Sequence, residues 1–401
     1  MELLLVVIAV ALAGWALLSR RLRQLRVTVP MILVLAGVVV GFSTHDQVVG
    51  TLNTDAAERL AEVILAVLLF VDATDVRGGL LGRDPRSALR LLFVALPLAM
   101  ALSMLLGLWL LPGLGWPVLL VIACIVVPID FASTTLLRDA RLPDRVRGLL
   151  NVEAGYTDGI VSPVFIFAVL LAAQQTGAAS PVGALTAAVP EAVTAVIVGV
   201  VVGAGLARLT NAAEHKDLMT AQAKRVILVA APLLAFGASL GLGGNGFIAA
   251  FVCGIAFNYL RAGPTFAEEL ELVDDVGFLL AALMWFVFGL TAVFAVRSGV
   301  PIGILVFCVL VLTVVRIPAV LLALVGSRLG WRERLLLGWL GPRGTATIVF
   351  GLLAFNALEG SAESTVGWVL VVAVLGSVLI QGIGAPAAAR AYARSRTRLV
   401  T

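Results

Sequence analysis

Long apolar segments separated by short polar loops run from one end of the chain to the other. A helix needs about 20 apolar residues to cross the hydrocarbon core of a bilayer, and each segment reaches or approaches that length. The pattern therefore predicts an all-α polytopic membrane protein with about thirteen transmembrane helices. The predicted spans cover residues 3–18, 27–42, 57–71, 88–111, 118–137, 148–172, 190–206, 226–242, 245–259, 273–296, 301–325, 335–354 and 365–387.

The composition agrees with this pattern, because 61% of the 401 residues are hydrophobic and only 13% are charged. Soluble domains contain about 45–50% apolar and about 25% charged residues, so a water-soluble enzyme is excluded. All three cysteines, Cys124, Cys253 and Cys308, fall inside apolar segments. Their placement predicts neither a disulfide framework nor a metal site.

Most of the 28 basic residues lie in alternate loops and near the end of the chain. Because Lys and Arg are enriched on the cytoplasmic side of membrane proteins, we expect a multi-pass cell-membrane protein whose N-terminus lies outside. Residues 388–401 are then a short basic cytoplasmic tail. The formal net charge of +4 reflects this topology and contact with the lipid bilayer, and it predicts no nucleic-acid partner.

Two interruptions of the apolar segments indicate an internal repeat. The fifth span breaks at Val-Pro-Ile-Asp (127–130) and the twelfth at Gly-Pro-Arg-Gly (341–344), and each break combines a helix breaker with a charge. Interruptions at corresponding positions are typical of inverted repeats that enclose a transport site. We therefore predict one transmembrane domain over residues 1–401. It consists of a first six-helix repeat at 1–172, a linker helix at 190–206 and a second, inverted six-helix repeat at 226–387, with broken helices that cross.

Charged side chains within the spans need individual explanations, since each costs about 2.5–3.5 kcal/mol at the bilayer centre. Glu153 lies roughly 10 Å from the cytoplasmic entry of the sixth span, at about 1.5 Å per helical residue. Arg316 lies roughly 8 Å from the same side in the eleventh span. These similar depths predict a structural ion pair between Glu153 and Arg316.

Asp158 lies five residues beyond Glu153, so the two carboxylates point roughly 140° apart on a helix. The sequence supplies no counter-charge for Asp158, and an unpaired carboxylate at this depth should take up a proton or bind a monovalent cation. Competition between the two at one group is the minimum requirement for an exchanger. The alternative is a purely structural Asp158 that stays protonated and hydrogen-bonded to a backbone carbonyl.

The charges at the two breaks have a different explanation. Broken helices expose partial charges at their ends, and we expect Asp130 and Arg343 to compensate them. The freed carbonyl of Ile129 is a candidate cation ligand. Asp72, toward the cytoplasmic end of the third span, either lines an inward funnel or is a solvated interfacial residue.

These residues together resemble the monovalent cation/proton antiporter family, in its NhaP-like sodium/proton exchanger branch. That family carries a Glu in its sixth span followed by an Asn-Asp pair, and this chain has Glu153, Thr157 and Asp158 there. The family's fifth-span Thr-Asp-Pro break corresponds to the segment that contains Ile129 and Asp130. Gly-Pro-Arg-Gly-Thr-Ala at 341–346 is similar to its twelfth-span break, and Arg316 to its buried arginine in the eleventh span.

The resemblance implies an NhaA-like fold with Asp158 as the shared cation and proton site. It further implies that Asp130, Thr157, the backbone at Ile129 and Asp72 lie nearby, that Glu153–Arg316 is a stabilising pair, and that the protein is a homodimer whose six-helix core moves the site. Thr157, Ile129 and Ala154 replace the family's usual Asn, Thr and Ser. These departures leave the identity and affinity of the ion open.

The function predicted is secondary active antiport of a monovalent cation, Na⁺ first and Li⁺ or K⁺ otherwise, against H⁺, with no resident cofactor. Related electrogenic proteins have a second acid at the place of Thr157 and a Lys at the place of Arg316. Because an arginine does not release its proton, we expect electroneutral exchange of one cation for one proton. The alternatives are a K⁺/H⁺ antiporter or an organic-anion symporter on the same fold. Neither histidine lies in a span, so an intramembrane hydrolase is disfavoured and the chain is not expected to be an enzyme.

Overall fold

The computed structural model of the protein describes residues 2–24, 27–52, 55–76, 79–131, 141–173, 181–261 and 266–397. These ranges contain helices and no strand. Up to residue 173 the helices are α1 (Glu2–Gln24), α2 (Val29–Leu52), α3 (Asp55–Thr74), α4 (Pro85–Arg90), α5 (Leu96–Leu110), α6 (Trp116–Val126) and α7 (Asp144–Ala173). From residue 181 they are α8 (Pro181–His215), α9 (Ala221–Gly241), α10 (Gly246–Leu260), α11 (Phe266–Glu269), α12 (Glu271–Ser298), α13 (Ile302–Leu310), α14 (Arg316–Ala323), α15 (Trp331–Trp339), α16 (Thr345–Ala357) and α17 (Gly360–Thr397).

The predicted all-α polytopic membrane fold is confirmed. Within the described residues, eight helical segments are long and apolar enough to cross a bilayer, and four shorter apolar helices accompany them. The shorter ones include α6 and α16, which adjoin the predicted breaks. The exact number of spans, the inverted repeat and the domain boundaries stay predictions.

Several helices are longer than the apolar pattern predicts, and α8 and α17 exceed it most. The linker helix begins at Pro181 instead of residue 190, because its first turns are rich in alanine and proline is well tolerated at a helix start. The last helix continues through Thr397, so most of the predicted tail is helical; its Ala and Arg residues are strong helix formers. Residues 132–137 of the fifth span and residues 398–401 lie outside the described ranges.

Within the described residues, two short π-helical stretches occur at corresponding places in the chain. Leu91–Ala95 joins α4 to α5 in the fourth predicted span, and Val311–Val315 joins α13 to α14 in the eleventh. These are the fourth spans of the two predicted repeats, which supports the repeat. The second stretch ends directly before Arg316, and such stretches are frequent next to functional residues.

The helices pack closely enough for backbones to touch where glycines face each other. Gly37 of α2 and Gly289 of α12 are such a pair, since a Cβ atom added to either glycine would lie 2.9 Å from the Cα atom of the other. Small residues at helix crossings allow this close approach, which is a main source of packing energy between membrane helices. The crossing of α2 and α12 therefore depends on the absence of a side chain at these positions.

This crossing predicts opposite effects for two glycine-to-alanine variants. Gly37→Ala places a methyl group against the backbone of α12 and should destabilise the protein by about 1–3 kcal/mol. Gly237→Ala adds a methyl group to α9 where nothing lies within 4 Å, and should be neutral or stabilise by up to about 1 kcal/mol, because alanine favours helix. Thermal unfolding in detergent measures both. Equal effects of the two variants would contradict the proposed packing.

Candidate ion-binding site

The two predicted breaks meet each other inside the protein. Helix α6 ends at Val126 and is followed by an irregular segment through residue 131, while α15 ends at Trp339 and α16 begins at Thr345. The backbone N–H of Asp130 donates a hydrogen bond of 2.9 Å to the carbonyl of Pro342. The two breaks are therefore in direct backbone contact, as the predicted crossing requires.

The Asp130 carboxylate lies at the amino end of α16. Its Oδ2 atom accepts a hydrogen bond of 2.8 Å from the backbone N–H of Thr345, the first residue of that helix. A Cβ atom on Gly344 would collide with the same carboxylate, so only glycine leaves room for it. A negative charge at this point faces the positive end of the helix dipole of α16.

The Arg343 guanidinium lies at the carboxyl end of helix α6. It donates through Nε to the carbonyl of Val126 (2.5 Å), where α6 ends, and through one terminal nitrogen to the carbonyl of Gly341 (2.8 Å). Arg343 is buried, and both acceptors are carbonyls that the helix breaks leave without a helical partner. The positive charge therefore faces the negative end of the dipole of α6.

Glu153 and Arg316 lie together, as their matching depths predict. Two contacts of 2.7 and 2.8 Å join the two Arg316 terminal nitrogens to the two Glu153 carboxylate oxygens. Arg316 also donates to the carbonyl of Leu337 at 3.3 Å. Both residues are buried, so each charge has its counter-ion inside the protein.

Asp158 differs from these four residues. It is 2% exposed, and neither of its carboxylate oxygens has a hydrogen-bond partner among the residues that the structure describes. The neighbouring Thr157 hydroxyl donates to the carbonyl of Glu153 in its own helix. A buried polar group without a partner is costly, and a bound proton or cation would supply what Asp158 lacks.

A cavity of about 1170 Å³ extends from the basic loops to the crossed breaks. Asp72 and Asp130 line it together with Ala154 and Gly155, which lie one turn of α7 before Asp158. Asp72 is half-buried, so its carboxylate belongs to the wall of the cavity. Asp158 itself is not among the lining residues. The cavity thus leads toward Asp158 from the side of the basic loops.

Arg145 links separate segments of the chain at the mouth of this cavity. Its guanidinium contacts the Asp84 carboxylate at 2.5 and 3.0 Å and donates to the carbonyl of Arg328 at 3.0 Å. Partial burial by itself raises the pKa of Asp84, but the hydrogen bonds from Arg145 and Ser87 outweigh it, so the pKa lies below its usual value. Asp84 is charged near neutral pH, and the contact links the start of α4, the start of α7 and the loop after α14.

Two site residues inferred from the sequence, Ile129 and Asp72, also lie where neighbouring segments pack closely together. Ile129 is fully buried, and its Cγ2 atom would lie 3.1 Å from a Cβ atom on Gly341, so it packs one break against the other. The backbone carbonyl of Asp72 would lie 2.7 Å from a Cβ atom on Gly155. Helices α3 and α7 therefore approach each other closely about one turn of α7 before Asp158.

One contact at the break was not predicted from the sequence. The backbone N–H of Arg343 donates a hydrogen bond of 2.7 Å to the hydroxyl of Ser377 in α17. The signal that points to Ser377 is a hydroxyl inside a largely apolar span, and such a hydroxyl in a membrane helix usually has a partner on a neighbouring helix.

Crossed helix breaks enclosed by apolar helices and stabilised by buried charges define a class of polytopic membrane proteins that includes many secondary transporters. A family model described as the transmembrane part of sodium/hydrogen exchangers matches residues 7–391. The chain therefore belongs to the sodium/hydrogen exchanger family.

Individual proteins similar to this chain agree with that family. A Na⁺/H⁺ antiporter of Schizosaccharomyces pombe is 25% identical over 313 residues, which is 74% of this chain and 66% of the relative. The K⁺/H⁺ antiporter NhaP of Alkalimonas amylolytica is 24% identical over 370 residues, 89% of this chain and 61% of the relative. The chain thus spans slightly less than two thirds of the length of these relatives.

A solved structure shows the same fold. The sodium proton antiporter MjNhaP1 from Methanocaldococcus jannaschii superimposes with a TM-score of 0.77 at 19% sequence identity. The likeness covers 98% of this chain and 100% of that chain. The all-helical membrane fold predicted from the sequence is therefore shared with this solved structure.

The ion pair of Glu153 and Arg316 generates a stability prediction. Glu153→Leu or Arg316→Met alone leaves one buried charge without its partner and should cost about 3–5 kcal/mol. The double variant removes both charges and should recover most of that loss. Thermal unfolding in detergent measures all three variants. A double variant as unstable as the two single ones would show that the pair is needed for more than charge compensation.

Proposed function

We propose that this protein is a secondary active antiporter that exchanges a monovalent cation, Na⁺ first, for H⁺ by alternating access. The observation that carries the proposal is Asp158, a buried carboxylate without a hydrogen-bond partner in the described residues, which interacts electrostatically with Asp130 and Arg343 of the two breaks. Membership of the sodium/hydrogen exchanger family supports the proposal, and so do the antiporter names of the similar proteins.

The exchange follows from competition at Asp158. A carboxylate in apolar surroundings is stable when it is protonated or when a cation neutralises it, and the two states exclude each other. Asp130, Thr157, the carbonyl of Ile129 and Asp72 are the candidates for further ion contacts. The Thr157 hydroxyl donates its proton to a carbonyl of its own helix. The lone pairs of its oxygen remain available to coordinate a cation.

The other buried charges have supporting roles in this proposal. Glu153 and Arg316 neutralise each other and fix α7 against α14 and α15, and Asp130 and Arg343 compensate the helix ends at the crossing. None of these groups needs to gain or lose a proton during a cycle. This leaves Asp158 as the group that alternates between ion and proton.

The arrangement of the molecule in the membrane is part of the proposal. Because the basic loops surround the mouth of the cavity, the positive-inside rule places that mouth in the cytoplasm, the N-terminus outside and the C-terminal residues inside a cell membrane. The cavity then makes the described state open to the cytoplasm. We further propose a homodimer, on the resemblance to the NhaP-like branch.

No covalent chemistry is needed for this activity, so we propose a transporter and not an enzyme. The ions are substrates, and no resident cofactor is part of the mechanism. A K⁺/H⁺ antiporter is the second candidate, favoured by the similarity of this chain to the K⁺/H⁺ antiporter NhaP. An organic-anion symporter is less well supported, because the inner part of the cavity carries the carboxylates Asp72 and Asp130.

The central prediction concerns Asp158. In proteoliposomes with a preformed pH gradient, Na⁺, Li⁺ or K⁺ should dissipate the gradient with the wild type. Asp158→Asn, which can neither bind a proton nor neutralise a cation, should reduce this to the level of empty liposomes. Glu359→Gln changes an exposed carboxylate and is the matched control. An active Asp158→Asn variant would make Asp158 structural, and a wild type inactive with all three ions would exclude the proposed substrates.

A second prediction concerns stoichiometry. With one alternating acid and an arginine that retains its proton, each cycle moves one cation against one proton and no net charge. The initial rate of exchange in proteoliposomes should therefore be the same with an imposed potential of either sign as with none. A rate that follows the potential would show that a second charge moves.

A further inference from the structure

One face of α17 is directed at the break in the twelfth span. Ser377, Gln381 and Gly384 are spaced by four and three residues, which places them on the same side of a helix. Ser377 and Gln381 are the two polar side chains in the apolar stretch 369–389. Both are buried, and a buried polar side chain is costly unless it is hydrogen-bonded.

Ser377 holds the inner part of the break. Its side-chain oxygen accepts the hydrogen bond of 2.7 Å from the backbone N–H of Arg343, two residues before α16 begins. This N–H lies outside either helix and has no helical acceptor. Ser377 therefore satisfies a backbone donor that the break itself creates.

Gln381 holds the other end of the same break. Its Nε2 atom donates a hydrogen bond of 2.9 Å to the carbonyl of Trp339, the last residue of α15. Gly384 completes the contact, since a Cβ atom there would lie 3.0 Å from the Trp339 ring. The end of α15 is thus fixed against α17 by a hydrogen bond and by close packing.

The segment between these two attachments and the start of the following helix both contact Asp130. The carbonyl of Pro342, between the attachments, accepts the Asp130 N–H, and the N–H of Thr345, two residues after Arg343, donates to the Asp130 carboxylate. A change in the position of residues 340–344 therefore changes the position of Asp130 and of the Arg343 guanidinium. Ser377 and Gln381 touch neither Asp130 nor Asp158 in the described contacts, so any effect on the site passes through the break.

We propose that Ser377 and Gln381 are positioning residues of the ion site, which fix the twelfth-span break from both ends and so set the geometry of Asp130 and Arg343. This proposal rests on the proposed antiport function. In this proposal α17 affects ion affinity through the twelfth-span break and not through direct contact with Asp158.

The test compares Ser377→Ala and Gln381→Leu with the wild type in the proteoliposome assay. Loss of one hydrogen bond should raise the apparent KM for the cation roughly twofold to tenfold, with a smaller change in the maximal rate. Ser377→Thr keeps the acceptor oxygen and should restore a KM close to that of the wild type. Ser103→Ala removes another buried hydroxyl, in α5, that has no partner in the described residues, and should leave the KM unchanged.

Hydrogen–deuterium exchange measured by mass spectrometry gives a readout independent of transport. The peptide that contains residues 340–345 should exchange faster in Ser377→Ala and Gln381→Leu than in the wild type, and not in Ser103→Ala. The positioning role would be overturned if both variants kept the wild-type rate of deuterium exchange and the wild-type KM. Equal effects of Ser103→Ala would overturn it as well. Neither result would contradict antiport. A wild type that exchanges no cation for protons would instead refute the proposed function, and with it a role for these residues in transport.

Discussion

The structure depends on one constraint: the peptide groups freed where two helices break in an apolar interior must find hydrogen-bond partners within the protein. At the crossing these partners come from other spans. Asp130 supplies both its backbone N–H and its carboxylate to the twelfth-span break, and Arg343 returns two hydrogen bonds to carbonyls of the fifth and twelfth spans. Each break thus depends on the other for its stability.

This constraint separates two kinds of buried charge. Glu153, Arg316, Asp130 and Arg343 contact charged or backbone groups that need them, so their burial is compensated in the resting molecule. Asp158 has no such contact in the described residues. Of the five charges predicted to lie deep within the spans, four have partners and Asp158 has none in the described residues. The unmet need for a counter-charge among these five therefore falls on one carboxylate. That asymmetry makes a reversible ligand at Asp158 more favourable than at any of the other four.

The sequence predicts those features that depend on depth in the membrane or on local composition. The spans follow from apolar runs, the two breaks from Pro and Gly beside a charge, and the proximity of Glu153 to Arg316 from two similar depths. Depth is a single coordinate that can be counted in residues from a loop. The contacts of Ser377 and Gln381 could not be derived this way, because they depend on how α17 is rotated about its axis and on which helix it faces. The π-helical stretches also escaped, since no residue type marks them.

The π-helical stretch before Arg316 affects how the chain length of this span can vary. A π-helical turn contains one residue more than the α-helical turn that it replaces, so loss of one residue from 311–315 can convert it into regular helix while the segments on either side keep their orientation. Loss of a residue elsewhere between Ile302 and Arg316 would instead turn the guanidinium by about 100° relative to the preceding helix. Insertions and deletions among homologous sequences should therefore collect in this single turn, and alignments of the eleventh span should allow their gap there.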